Sequence, residues 1–124
     1  MAHPFRDAVE ARDHDAMVAT LSEDVVFNSP VAHKPFEGRD AVAGVLAAAF
    51  DSFEDFRYTD EIESGNVHAL VFRAHVGDKD LEGIDLLRVG ADGLIEDLTV
   101  LVRPASGLMA LGQAMGPKVE GLKA

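Results

Sequence analysis

Apolar and small residues recur at three- and four-residue spacing from the start of the chain: Phe5, Ala8 and Val9, then Ala16, Met17, Thr20 and Leu21, with charged residues between them. That period predicts two amphipathic helices, the second capped by Asp13. The stretch Asp24-Val25-Val26-Phe27-Asn28-Ser29-Pro30 turns to β-branched and aromatic residues and stops at a proline, as a short strand does. A loop is expected from Val31 to Gly38. Asp40 then opens a third helix, whose apolar residues Val42, Val45, Leu46, Ala49, Phe50 and Phe53 fall on one face.

Beyond that helix the pattern alternates. Residues 56–63, 67–76, 81–89 and 94–103 read as four strands, separated by Ser64-Gly65-Asn66, Gly77-Asp78-Lys79 and Gly90-Ala91-Asp92-Gly93, each a turn signal. Strands joined by short turns form an antiparallel meander. Pro104 ends the last one, and Leu108, Met109, Leu111 and Met115 suggest a C-terminal helix weakened by Gly107, Gly112 and Gly116. Met109 and Met115 read as core or lid residues. Helices followed by a meander predict an α+β fold of one domain over 1–124, with helices on one face of the sheet. With Asp78-Lys79 as a two-residue turn, Ala74 would face Gly83, Phe72 would face Asp85, Leu70 would face Leu87 and His68 would face Val89, which turns Asp85 inward. The other parity, Val71, Arg73 and His75 opposite Leu86, Ile84 and Glu82, is too apolar for free solvent and suggests a second subunit on the outer face.

Charge and composition narrow the function classes. The 124 residues carry 11 Lys plus Arg against 22 Asp plus Glu, a net charge of −11 that repels phosphate backbones and anionic lipid heads, so nucleic acid is not an expected partner. No cysteine is present, which excludes thiol chemistry and makes a reducing cytoplasm the default setting. No apolar run is long enough to cross a bilayer, and the start lacks signal-peptide order, so no membrane partner is expected. No glycine-rich phosphate loop and no metal-ligand spacing occurs, so neither a cofactor nor a metal is expected. The acidic residues from Asp51 to Glu63 lack the pattern of a calcium loop and read as a solvated rim.

Among candidate chemical groups Asp85 stands out, mid-strand between Ile84 and Leu86-Leu87. A carboxyl group there loses hydration, so its pKa should rise, and the neutral acid can donate to a ligand oxygen or act in acid–base catalysis. The plainer reading is an Asp at a strand edge paired with an arginine or facing solvent. Inverting the strand would expose Leu87 and bury Arg88, which favours the inward one. His33 lies in the loop after the first strand, with Asn28 and Ser29 just before it. It reads either as a proton shuttle or, preferably, as a solvated loop residue beside Lys34. His3 and His14 read as surface residues, His75 as outside and His68 as near a strand end.

The succession Asp13-His14-Asp15-Ala16-Met17, Leu21 to Phe27, Pro30, Phe36-Glu37-Gly38-Arg39-Asp40, Gly83-Ile84-Asp85, Asp92-Gly93-Leu94-Ile95 and Val102-Arg103-Pro104 resembles a SnoaL-like member of the nuclear transport factor two superfamily, over nearly the whole chain. The resemblance implies a cone-shaped half-barrel in which N-terminal helices pack on a strongly curved, mainly antiparallel sheet around an apolar pocket, often in a homodimer. Members include ketosteroid isomerase, polyketide cyclases, dehydratases, epoxide hydrolases and binding-only domains, so the fold does not fix the function. Asp85 matches the acid in the oxyanion hole of ketosteroid isomerase. Phe5 stands where that enzyme has a tyrosine, Ser29 where it has its base, and Gly83 where an epoxide hydrolase has an arginine. The expected function is therefore binding of a small hydrophobic or polycyclic molecule in a pocket of Phe5, Phe27, Asn28, Leu70, Phe72, Leu87, Leu98 and Val100. Cofactor-free isomerisation, cyclisation or dehydration would be centred on Asp85 with Ser29 and His33. A binding module without turnover is the alternative.

Overall fold

The computed structural model describes residues 3–120. Helices α1 (Pro4–Glu10) and α2 (His14–Ala19) form a short hairpin, followed by strand β1 (Leu21–Asn28), the two-residue strand β2 (Phe36–Glu37) and helix α3 (Arg39–Ser52). Strands β3 (Glu54–Ser64), β4 (Val67–Val76), β5 (Lys79–Val89) and β6 (Ile95–Arg103) make the meander, and helix α4 (Ala105–Val119) closes the order. The fold is α+β, with an open six-stranded sheet in the order β2-β1-β6-β5-β4-β3. Among the described residues only β1 and β6 run parallel.

Several boundaries differ from the sequence expectation. Asp13 caps α2 as expected, its carboxylate accepting from the Ala16 N–H at 3.0 Å. That helix nevertheless stops at Ala19, because Thr20 and Leu21 are drawn into pairing with Ile95. The expected loop holds β2, whose Phe36 pairs with Phe27. The C-terminal helix forms over 15 residues in spite of its glycines. Tertiary docking outweighs its propensity: Leu111 is buried, and a Cβ on Gly107 would lie 2.7 Å from the Asp80 carbonyl oxygen. Met115 packs on the core, whereas Met109 is 64% exposed and is neither core nor lid.

The β4–β5 register also needs correction. Val76 pairs with Lys79, so Gly77-Asp78 form the turn and each pair lies two residues from the expected one: Phe72 faces Gly83, Leu70 faces Asp85 and His68 faces Leu87. A slip of two keeps parity, and Asp85 still points inward. Gly83 is required by close approach, since a Cβ there would collide with the Phe72 ring and come within 2.7 Å of the Leu101 carbonyl oxygen. The core lies between the inner sheet face and the helices, with Phe5, Val25, Val42, Leu70, Leu87 and Leu98 almost wholly buried. No helix among the described residues is long and apolar enough to cross a membrane.

Candidate functional site

Three rows of side chains cross the inner face of the sheet. One runs Phe27, Leu98, Leu87, His68 and Glu63, the next Val100, Asp85, Leu70 and Glu61, and the third Val102, Gly83, Phe72 and Tyr58. Asp85 therefore sits between Leu70 and Val100, flanked along its own strand by Gly83 and Leu87. It is 6% exposed. Tyr58 stands two strands away, a separation of about 9.6 Å at ordinary strand spacing. Its long side chain closes that gap, and its hydroxyl donates to Asp85 Oδ2 at 2.8 Å.

The electrostatics follow from this placement. Burial pushes the Asp85 carboxyl up to about 7, and the hydrogen bond from Tyr58 only partly opposes it. Tyr58 is pushed well above its ordinary value by burial and by the Asp85 charge, so its phenol keeps its proton. The Tyr58 ring is held by edge contacts with Phe56 at 5.0 Å and Phe72 at 6.5 Å. The Arg6 guanidinium lies 5.7 Å from its centre. Arg6 is itself fixed by Glu61 at 3.1 Å and Glu10 at 3.3 Å.

Tyr58 also connects this pair to open space. A cleft of about 750 Å³ lies between the α1–α2 hairpin, the end of α3 and the start of β3, with Val9, Met17, Phe50, Phe56 and Tyr58 among its apolar walls. Glu10, Arg12, Asp51 and Asp55 contribute charge to its lining. A second, smaller and more apolar cleft of about 320 Å³ lies beneath α4, where Ser29, Phe36, Val45 and Met115 meet.

Leu70, Leu87 and Val100 adjoin Asp85, which itself lines neither cleft, whereas Ser29, His33 and Asn28 are not joined to it. Ser29 faces the second cleft, and its Oγ accepts from the Val31 and Ala32 N–H groups at 3.0 and 3.2 Å. His33 is exposed. Asn28 lies on the outer face, donating to Thr99 at 3.0 Å and to Asp97 at 3.3 Å. Phe5, Phe27, Leu70, Phe72, Leu87 and Leu98 belong to the core, with Val100 packed against it, and line neither cleft. His3 is buried, not a surface residue, and His14 is half-buried with Nε2 3.0 Å from the Ala43 carbonyl oxygen. Among the described residues no group of three or more His, Asp or Glu side chains is placed to hold a metal ion.

Comparison with known proteins places this arrangement in a family. The sequence matches the SnoaL-like domain over residues 2–98. The chain belongs to the SnoaL-like family. A steroid delta-isomerase from Pseudomonas aeruginosa is 41% identical, with a TM-score of 0.88 over 93% of this chain and 85% of that one. An uncharacterised bacterial protein with a cystatin-like fold from Silicibacter pomeroyi is 37% identical, with a TM-score of 0.89 over 95% and 86% of the two chains. An NTF2-like protein of unknown function from Mesorhizobium loti shares the fold at 22% identity, with a TM-score of 0.70 over 81% and 85%. No curated protein matches the sequence. In this SnoaL-like chain the partner of the strand acid is Tyr58 of β3, which sequence reasoning missed. Phe56 and Tyr58 mark one face of the strand, but nothing in the sequence links Tyr58 to Asp85.

A carboxyl whose pKa rises from 3.8 to about 7 on folding leaves the native state holding more protons than the unfolded state across that window. Its contribution to stability is therefore greatest at low pH, falls by up to about 1.4 kcal/mol per pH unit through the window, and becomes a constant penalty above it. Asp85→Asn removes this contribution while leaving Tyr58 an acceptor. Relative to wild type, the variant should gain roughly 2–3 kcal/mol in urea unfolding between pH 5 and pH 8. An unchanged difference would place the charged carboxylate comfortably in the fold.

Proposed function

We propose that this protein binds a small hydrophobic molecule, aromatic or polycyclic, through a carbonyl or hydroxyl oxygen. Asp85 serves as its proton donor in a cofactor-free isomerisation, cyclisation or dehydration. The observation that supports this reading is the 2.8 Å hydrogen bond from Tyr58 to a buried Asp85 whose carboxyl titrates near neutrality, with Tyr58 on the wall of the larger cleft. Near pH 7 such a carboxyl is present in both forms, so it can hold a proton ready and give it up at little cost. When the proton passes to the ligand oxygen, the carboxylate left behind keeps the Tyr58 hydrogen bond as its compensation. The phenyl rings of Phe50 and Phe56 at the cleft supply apolar area for the ligand body.

Binding without turnover is the second reading, and Ser29 favours it. Abstraction of a carbon-bound proton requires a positioned base, and Ser29 accepts two backbone N–H groups, with no side-chain base hydrogen-bonded to it among the described residues. The Pseudomonas neighbour's name therefore does not carry over as steroid isomerisation, which should be negligible here.

Thermal-shift measurements test the reading with aromatic and polycyclic ketones beside their deoxygenated counterparts. The ketones should raise Tm more, Asp85→Asn should keep much of that preference, and Asp85→Leu should abolish it. Tyr58→Phe should weaken ketone binding roughly tenfold or less, the range of one hydrogen bond. Equal shifts by ketone and hydrocarbon in the wild-type protein would overturn it.

The partner proposed for the outer sheet face is a second copy of the chain. Val71, Ile84 and Leu86 form a half-buried row there, Leu101 is 53% exposed, and Arg73, Glu82 and Arg103 pair across the strands at 3.0 and 3.4 Å. Light scattering should return about twice the chain mass of 13.3 kDa, and Leu86→Lys should shift the protein toward monomer. A monomer at high concentration contradicts the pairing.

A further inference from the structure

At one end of the inner sheet face lies a cluster of titratable groups that the proposed chemistry does not use. His3, one residue before α1, is buried, and its Nδ1 accepts the Phe5 N–H at 3.0 Å, so an imidazole caps the helix. Nδ1 can accept only while it carries no proton, which fixes the neutral Nε2–H tautomer. Polar groups approach this residue from several elements. His68 of β4 meets it edge-on with ring centres 5.0 Å apart. From β3, Glu61 accepts the His3 backbone N–H at 3.1 Å, and Glu63 lies 4.0 Å from His68 Nδ1. Arg6 of α1 pairs with Glu61, and the Gly93 carbonyl approaches from the β5–β6 turn.

These contacts make the docking of α1 sensitive to one proton. Glu61 is already shared by Arg6 and the His3 N–H, so its charge is spoken for. A proton on His3 itself deletes the cap, because Nδ1 becomes a donor facing the Phe5 N–H. Helix α1 in turn holds Phe5 in the core, Val9 on the wall of the larger cleft and Arg6 beside the Tyr58 ring.

We propose that α1 is an acid-released latch over the Tyr58–Asp85 pair: protonation of His3 frees the helix and opens the pair to ligand. The functional part of this inference rests on the reading of that pair as the ligand site; the release of the helix does not. Burial and then the neighbouring His68 lower the His3 pKa below 6.5, outweighing the opposing pull of Gly93, Glu61 and Glu63. A lowered value means that the docked state excludes the proton. Docking is therefore fully favourable above pH 6.5 and weakens as pH falls below it, while Asp85, titrating near 7, has already taken up its proton. The ordering is load first, then open.

Amide hydrogen exchange without ligand, corrected for the intrinsic pH dependence of exchange, tests the latch on the whole chain between pH 8 and pH 5. The opening equilibrium of α1 should rise by up to about tenfold per pH unit below 6.5, with no such rise in β4 and β5, whose opening follows global stability and so also the Asp85 titration. His3→Asn, which keeps a capping oxygen but does not titrate, should remove the rise. A flat wild-type profile, or the same rise in His3→Asn, overturns the proposal. Should that variant fail to fold, the ring of His3 in the wild-type protein decides by NMR: release of α1 must track its protonation, and a helix that stays protected through that titration overturns the latch. Because no ligand is used, failure of the ketone-binding experiments leaves this result standing, and the reverse also holds.

Discussion

The interior of this domain is organised around one buried carboxyl group. Asp85 lies between Leu70 and Val100 on a face that the rest of the sheet devotes to Phe27, Leu87, Leu98 and Phe72. An ionised carboxylate without a partner is strongly disfavoured there. Two features relieve the conflict: the group titrates near neutrality instead of near 4, and Tyr58 reaches across β4 to donate to it. The aromatic stack around Tyr58, the bare backbone of Gly83 that admits Phe72, and the guanidinium of Arg6 over the ring keep that hydroxyl in place.

The inward direction of Asp85 was legible in the sequence because face assignment depends on parity alone. The turn was read one residue late, at Asp78-Lys79 instead of Gly77-Asp78, and the pairing therefore moved by two residues; an odd slip would have turned Asp85 outward. Its partner was not legible, and the reason is local. The β3–β4 pairing is irregular between Tyr58 and Asp60, so Tyr58, Glu61 and Glu63 share the inner face while Ile62 turns out to 62% exposure. Simple alternation groups Tyr58 with Asp60 and Ile62 and hides the relation of Tyr58 to Glu61 and Arg6. His3 was hidden differently, since a histidine close to the start of a chain has no periodicity to report its burial. Its role as a cap emerges only where α1 meets β3 and β4.

Membership of the SnoaL-like family accounts for the layers and the strand order, and the polar interior is set by this chain's own residues. Phe5, read as standing where the isomerase has its helix tyrosine, is fully buried in the core, and the hydroxyl that serves Asp85 comes from a strand on the far side of β4. Ser29 opens into a different cleft from the one bordered by Tyr58. A 41% identical neighbour named a steroid delta-isomerase shares the backbone, and a shared backbone does not by itself carry a reaction across.

The composition of the chain supplies a direct probe of the Tyr58–Asp85 hydrogen bond. With one tyrosine and no tryptophan, its intrinsic fluorescence comes from Tyr58 alone. A carboxylate that accepts the phenol's hydrogen bond quenches tyrosine emission, whereas a protonated carboxyl quenches far less. Because Tyr58 ionises well above 10, emission between pH 4 and pH 9 reports the state of its partner. A single quenching step is expected near pH 7 as pH rises, absent in Asp85→Asn. A step near pH 4, or emission that does not change across the range, would contradict it.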